Sequence, residues 1–212
     1  AWKQLKRITR YLLGAQRAVM TYPWQGMEGN MDAYTDSDWA GCRKTGKSTS
    51  GGVVTIGEHF IKGWSTTQAS ITLSSAEAEL VAMAKAVAET LGIINMTRDL
   101  GHSMTGCVYA DSSAALAIAD IKGSGKLRHI SIRRLWIQEK QQRCDIELRT
   151  VDGSLNPADL YTKYLQIGRL GDLTRRIGQL PEQGRATIAL GVQGATPTAP
   201  NRARDAGARP WT

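Results

Sequence analysis

The spacing of apolar residues along the chain changes repeatedly, and each change predicts a new element. Residues 2–20, WKQLKRITRYLLGAQRAVM, place Leu5, Ile8, Leu12 and Leu13 at helical spacing with Lys3, Lys6, Arg7 and Arg10 between them. That pattern predicts a basic amphipathic helix ending near Gly14. Residues 23–30 read as a Gly-containing linker. Strands follow over about 31–38, 51–57 and 59–66, the last two separated by Gly57-Glu58, which makes a three-strand meander with hairpin-like connections. From Ser74 the period becomes helical: Leu80, Met83, Val87, Leu91 and Ile94 predict a long helix running to about Leu100 and stopped by Gly101. A short strand, Cys107 to Asp111, precedes a helix from Ser112 to about Ile121. After a break at Gly123-Ser124-Gly125 come a helix over 129–142 and a strand over 145–151. Asn156 as N-cap and Pro157 at the first helical position open a last helix. Beyond about Leu180 the periodicity ends, and the tail, rich in Gly, Ala, Pro and Thr, is expected to be disordered. A meander followed by alternating units predicts an α/β fold, a mixed sheet with helices on its faces.

Composition narrows the class. A length of 212 residues allows one domain with extensions or at most two small ones, and 42% hydrophobic residues suffice for a core. The net charge of +8 favours anionic partners, nucleic acid first, because neutralised phosphates release counterions; a solvated basic surface accounts for the charge equally well. Cys42, Cys107 and Cys144 are an odd number without Cys-x-x-Cys spacing, so reduced thiols packed as small residues in an intracellular compartment are expected. Neither a signal-peptide core nor an apolar run approaching the roughly 20 residues of a membrane span is read in the sequence. No membrane partner is expected.

The candidate chemistry lies in carboxylates at element ends. In YTDSDWAG (34–41) a strand would put Asp36 and Asp38 on one face, where they repel. Asp111 ends the fourth strand and could equally be an N-cap; Asp159 lies in the first turn of the last helix and could simply complement its dipole. In the long helix, Ser74 and Glu77 fit a capping box, which leaves Glu79, beside the Leu80–Met83–Val87 stripe, without a structural task. A divalent cation would account for all four acids together. Mg²⁺ takes hard oxygen ligands, and two-ion nuclease sites hold their ions about 4 Å apart between acidic groups. His59, His102 and His129 form no credible zinc set.

In order along the chain, YTDSDWAG, KSTSG (47–51), LSSAEAELVAM (73–83), VYADSSAALAI (108–118), KLRHISI (126–132) and NPADLYTKYL (156–165) resemble the ribonuclease H domain of copia-type long-terminal-repeat retrotransposons. WKQLKRITRYLLG resembles the end of the reverse transcriptase upstream. The resemblance implies a ribonuclease H-like fold with a five-strand mixed sheet, the first three strands antiparallel, flanked by helices. It implies hydrolysis of the RNA strand of RNA–DNA hybrids with two Mg²⁺ ions, Mn²⁺ being able to substitute. Carried over by motif, the catalytic and metal-binding residues are Asp36, Glu79, Asp111 and Asp159, with Asp36 bridging the ions, Glu79 and Asp111 on one, and Asp159 on the other. Asp38 would be a supporting acid, paired with Arg43 or Lys44. Ser37, Ser74 and Ser75 would meet the hybrid near the helix start. Lys126, Arg128, Arg133 and Arg134 would form a phosphate track, a solvated helix face being the plain alternative. Trp64 and Trp136 read as core or groove-wall residues.

The resemblance divides the chain into a basic helix and linker from the reverse transcriptase (1–30), a ribonuclease H domain (31–166) and an extension (167–212). Expected partners are an RNA–DNA hybrid and the reverse transcriptase of the same polyprotein, in a cytoplasmic replication particle or the nucleus. Many enzymes of this fold carry a His in the loop before the last Asp; the loop 151–156 has none, which implies slow turnover. Two competing readings are a silent nucleic-acid-binding domain, disfavoured by the complete acid set, and an integrase-like transferase, disfavoured by an acid on the helix after the third strand.

Overall fold

In the computed structural model, the described residues are 2–15, 17–26, 29–120 and 128–182, with the side chains of 128–131 excluded. The expected break at 123–125, Lys126 and the tail from 183 lie outside them. Of the described residues, those up to Arg17 fall in one compact unit and residues 18–182 in the other, the boundary lying within the first strand. In the first, α1 (Trp2–Gly14) is the expected basic amphipathic helix, with the Lys6 ammonium 5.5 Å from the centre of the Trp2 ring.

The second unit follows the order β1 (Arg17–Met20), β2 (Asn30–Asp38), β3 (Thr49–Ile56), β4 (His59–Thr67), α2 (Ser75–Asp99), β5 (Thr105–Ala110), α3 (Ser113–Asp120), α4 (Arg128–Gln142), β6 (Ile146–Thr150), α5 (Ile167–Arg176) and β7 (Gln179–Glu182). β2, β3 and β4 form the predicted antiparallel meander, with a bulge at Val54/Thr55. β5 and β6 then add in parallel on the other side of β2, giving the spatial order β4-β3-β2-β5-β6. This is the five-strand mixed sheet, its first three strands antiparallel, that the motifs imply. The switch to parallel pairing at β5 follows from the connection: a crossover as long as α2 returns the chain to the same end of the sheet.

The core lies between α2 and the sheet. Leu80, Met83, Ala86, Val87 and Ile94 of α2 pack on Met31, Ala33, Val54, Trp64, Val108 and Ala110, with Ala115, Ala119 and Ile137 closing the helical layer. α2 is long and apolar enough to cross a bilayer by composition, contrary to the sequence reading that no run approaches that length. Its buried stripe against the sheet accounts for that composition. Trp64 is buried, and Trp136 packs partly buried against the core.

Three local expectations change. Residues 17–20 are a strand paired with β7, a contact across more than 150 residues that periodicity does not encode. Asn156-Pro157 opens a single 3-10 turn, Pro157–Tyr161, preceded by another at Gly153–Leu155, and the helix proper begins only at Ile167. Of the cysteines, Cys107 is buried, whereas Cys144 is exposed, at φ +57°, and does not serve as packing.

Candidate metal centre

Three carboxylates from three elements meet at the C-terminal end of the central strands. Asp36 comes from β2, Glu79 from the first turns of α2 and Asp111 from the residue after β5, with one carboxylate oxygen of each within 4.8 Å of the others. Local chemistry sets each one there. Ser74 caps α2 by accepting from Glu77 N (3.2 Å), while the Glu77 carboxylate accepts from Leu73 N at 2.7 Å. The capping box therefore consumes Glu77 and leaves Glu79, one turn in, facing β2. The N-cap of α3 is Ser112, which accepts from Ala115 N at 3.2 Å. Asp111 is thereby free of the capping task that the sequence left open.

Glu79 is held on one side only. Its Oε1 accepts from both the backbone N–H and the hydroxyl of Ser37, each at 3.1 Å. Its Oε2 is buried and has no hydrogen-bond partner among the described residues. Such an atom is costly unless something else binds it. Burial, followed by the negative charges of Asp36 and Asp111, pushes the Glu79 carboxyl up to about 8. Asp36, 2% exposed, is also raised by burial, against the lowering effect of bonds from Thr162 and Lys163. Crowded, desolvated carboxylates with a free oxygen are the donor set of a hard divalent cation, and the residues fit one.

Asp159, the fourth expected acid, is not part of this trio and is joined to Asp36 through Lys163. It sits in the Pro157–Tyr161 turn and is buried. Asn156 pins that turn to the sheet: its side chain donates to Thr35 O and accepts from Ala158 N, both at 3.0 Å. Close approach also requires Gly51, the β3 partner of Asp36. A Cβ at Gly51 would lie 2.6 Å from a Thr162 methyl, 2.9 Å from Tyr161 Cβ and 3.2 Å from Ala158 O. With the turn seated, the Thr162 hydroxyl donates to Asp36 Oδ2. The Lys163 ammonium bridges Asp36 Oδ1 (3.0 Å) and Asp159 Oδ1 (2.7 Å), and Arg169 donates to Asp159 Oδ2 at 3.2 Å. Burial pulls the Lys163 ammonium down, but its bonds and charge contacts with Asp159 and Asp36 more than offset this and raise it overall.

The other expected site residues are dispersed. Ser37 serves Glu79 with both of its groups, while Ser74 and Ser75 are exposed at the start of α2. Asp38 lies against Gly41 and makes no ion pair with Arg43 or Lys44 among the described residues. Of the basic cluster, Arg128 begins α4 but its side chain is outside the described set, as is Lys126. Arg133 is exposed and lines a pocket of about 390 Å³ with Lys85, Ser50 and Thr66. Arg134 is 3% exposed, an interior position that does not suit a surface track. Asn156, Thr162, Lys163 and Arg169 were not anticipated as site residues. A signal existed for one of them: Lys163 follows Asp159 by four residues, the spacing of ion pairs along a helical turn.

No family model matches the chain. It is 30% identical over 168 residues to the retrovirus-related Pol polyprotein from transposon TNT 1-94 of Nicotiana tabacum, a match covering 77% of this chain and 12% of that protein. It is also 30% identical over 177 residues to the retrovirus-related Pol polyprotein from transposon RE1 of Arabidopsis thaliana, covering 82% of this chain and 12% of the relative. The chain thus spans about an eighth of the length of these curated relatives. A solved ribonuclease H1 isolated from compost is similar at 19% identity and a TM-score of 0.49, over 62% of this chain and 91% of that one. Over most of its length the chain is thus homologous to a segment of the copia-type retrovirus-related Pol polyproteins.

Proposed function

We propose that this chain is a metal-dependent nuclease that hydrolyses the RNA strand of RNA–DNA hybrids during retrotransposon reverse transcription. The observation that carries the reading is the meeting of Asp36, Glu79 and Asp111 within 4.8 Å, with the buried Glu79 Oε2 unpartnered among the described residues. The similarity to Pol polyproteins and the ordered motifs support this substrate, and the setting proposed with it is a cytoplasmic replication particle in which residues 31–166 work beside the reverse transcriptase. Glu79 and Asp111 would hold one ion, Asp159 the other, and Asp36 both. When bound, the ions supply an activated water and charge stabilisation at the leaving oxygen.

The protein's own residues prepare this chemistry. Ser37 fixes the Glu79 carboxylate through Oε1 and leaves its Oε2 unpartnered among the described residues. Asn156 holds the Asp159 turn against β2, and Thr162 orients Asp36. The exposed α2 start with Ser74 and Ser75, and Arg133 on α4, would contact the hybrid backbone, since helix N-termini and arginines both suit phosphate.

The test is cleavage of a labelled RNA–DNA hybrid in Mg²⁺, beside single-stranded RNA, double-stranded RNA and the variant Asp111→Asn. The expected result is loss of the RNA strand of the hybrid alone, abolished by chelator and by the variant, by about 10³-fold or more if Asp111 stabilises transition-state charge. Hybrid binding without cleavage by the wild type in Mg²⁺ or Mn²⁺ would instead make the chain a binding module.

A further inference from the structure

The two halves of the acidic site differ in what already fills them. On the Glu79 side, Oε2 is unpartnered among the described residues. On the Asp159 side each oxygen is engaged: Asp36 Oδ1 and Asp159 Oδ1 by Lys163, Asp36 Oδ2 by Thr162, and Asp159 Oδ2 by Arg169. The Lys163 ammonium thus bridges the two carboxylates expected to share the second ion. A bridging ammonium and a Mg²⁺ ion cannot occupy these oxygens together. Mg²⁺ requires oxygen ligands at about 2.0–2.1 Å, and the positive charges would repel across the same contact.

We infer that Lys163 is a resident cation that keeps the second-ion position charge-compensated and must leave it before a second ion is bound. This deepens the two-ion nuclease reading and rests on it. The side chain is built to move: 42% of its surface is exposed, although the carboxylates it bridges are 2% and 9% exposed. Its four-carbon stem needs only rotamer changes to bring the ammonium into solvent. Asp36 and Asp159 are buried, and the ammonium that bridges them offsets their paired negative charge from the protein's own chain until an ion arrives. Ion loading is therefore sequential. Glu79 and Asp111, where no such cation intervenes, would hold their ion first, and Asp36 with Asp159 would hold theirs only once Lys163 has left. Lys163 is a positioning residue, acting through Asp36 and Asp159.

The test is calorimetric titration of Mn²⁺ into the chelator-stripped full chain without nucleic acid, comparing wild type with Lys163→Met, Lys163→Gln, Lys163→Arg and Thr162→Val. The wild type is expected to show one strong and one weak binding event. Both neutral Lys163 variants should strengthen the weak event about tenfold or more, the scale of one charge-assisted hydrogen bond. Lys163→Gln carries the test if the Met variant does not fold without metal. Lys163→Arg should behave as wild type, and Thr162→Val should change the second event by less than about twofold, because it removes a neutral donor. The inference is overturned if the neutral variants bind the second ion no more tightly than wild type, or if Thr162→Val gains as much as they do. Failure of the nuclease reading is distinct: the wild type would bind ions and cut no hybrid, whatever the Lys163 variants do in the titration.

Discussion

Glu79 shows what it costs to gather carboxylates in one buried place. Its carboxyl is buried beside two other acids and raised from 4.5 to about 8, so the folded chain holds a proton that the unfolded chain releases at lower pH. The sign follows. Below pH 4.5 both states are protonated and nothing is lost; as pH rises towards 8 the unfolded state is increasingly favoured, and the loss then levels off. Glu79→Gln removes the titrating group. In chelator, its stability advantage over wild type should be small at pH 4.5 and widen to well over ~1 kcal/mol at pH 8, while cleavage is lost. Melting both proteins across this range checks it; a gap independent of pH would contradict the burial argument. At the same scale, Asp111 shows how local chemistry removes an ambiguity. Its acidic side chain would serve as a cap, but the Ser112 hydroxyl already holds that task.

At the scale of elements, the site depends on a short turn being fastened to a strand. Pro157–Tyr161 has too few residues to be stable as an isolated helix, and its position is set from outside by Asn156, whose two bonds join β2 to the turn. Asn156→Ala should leave Thr35 O and Ala158 N without these partners in a fully buried position, at a cost of about 2 kcal/mol or more. It should also weaken ion binding on the Asp159 side more than on the Glu79 side. Denaturant unfolding and Mn²⁺ titration of the one variant read both effects; equal loss at the two ions would mean that the turn merely supports the fold. The sequence named Asn156 as a cap, and it is one. Its second bond reaches back 121 residues, and no local pattern encodes such a contact.

At the scale of the whole molecule, a net charge of +8 sets how the chain meets a polyanion. Hybrid affinity should fall linearly with the logarithm of salt concentration, and replacing one phosphate-contacting residue should reduce that slope by about one unit. Arg133→Gln should do so, being exposed beside Lys85, Ser50 and Thr66, whereas Arg134, buried in the same helix, should affect stability instead. Filter-binding isotherms at several salt concentrations separate the two. An unchanged slope for Arg133→Gln would place the track elsewhere.

Much of the molecule was legible before folding because it is written in short-range periodicity. The meander, the long α2, the capping box that spends Glu77 and spares Glu79, and the four acids at element ends all depend on residues a few positions apart, where backbone geometry and side-chain spacing act directly. What only the tertiary structure decided involves contacts between distant segments: the β1–β7 pair, the Asn156 clamp, the Gly51 gap under Thr162, the burial of Arg134, and the Lys163 bridge between Asp36 and Asp159. The physical reason is that a residue's periodicity specifies which face it occupies, while the partner it meets there depends on where the sheet brings the rest of the chain. For buried charges that partner determines their energy, and so their chemistry.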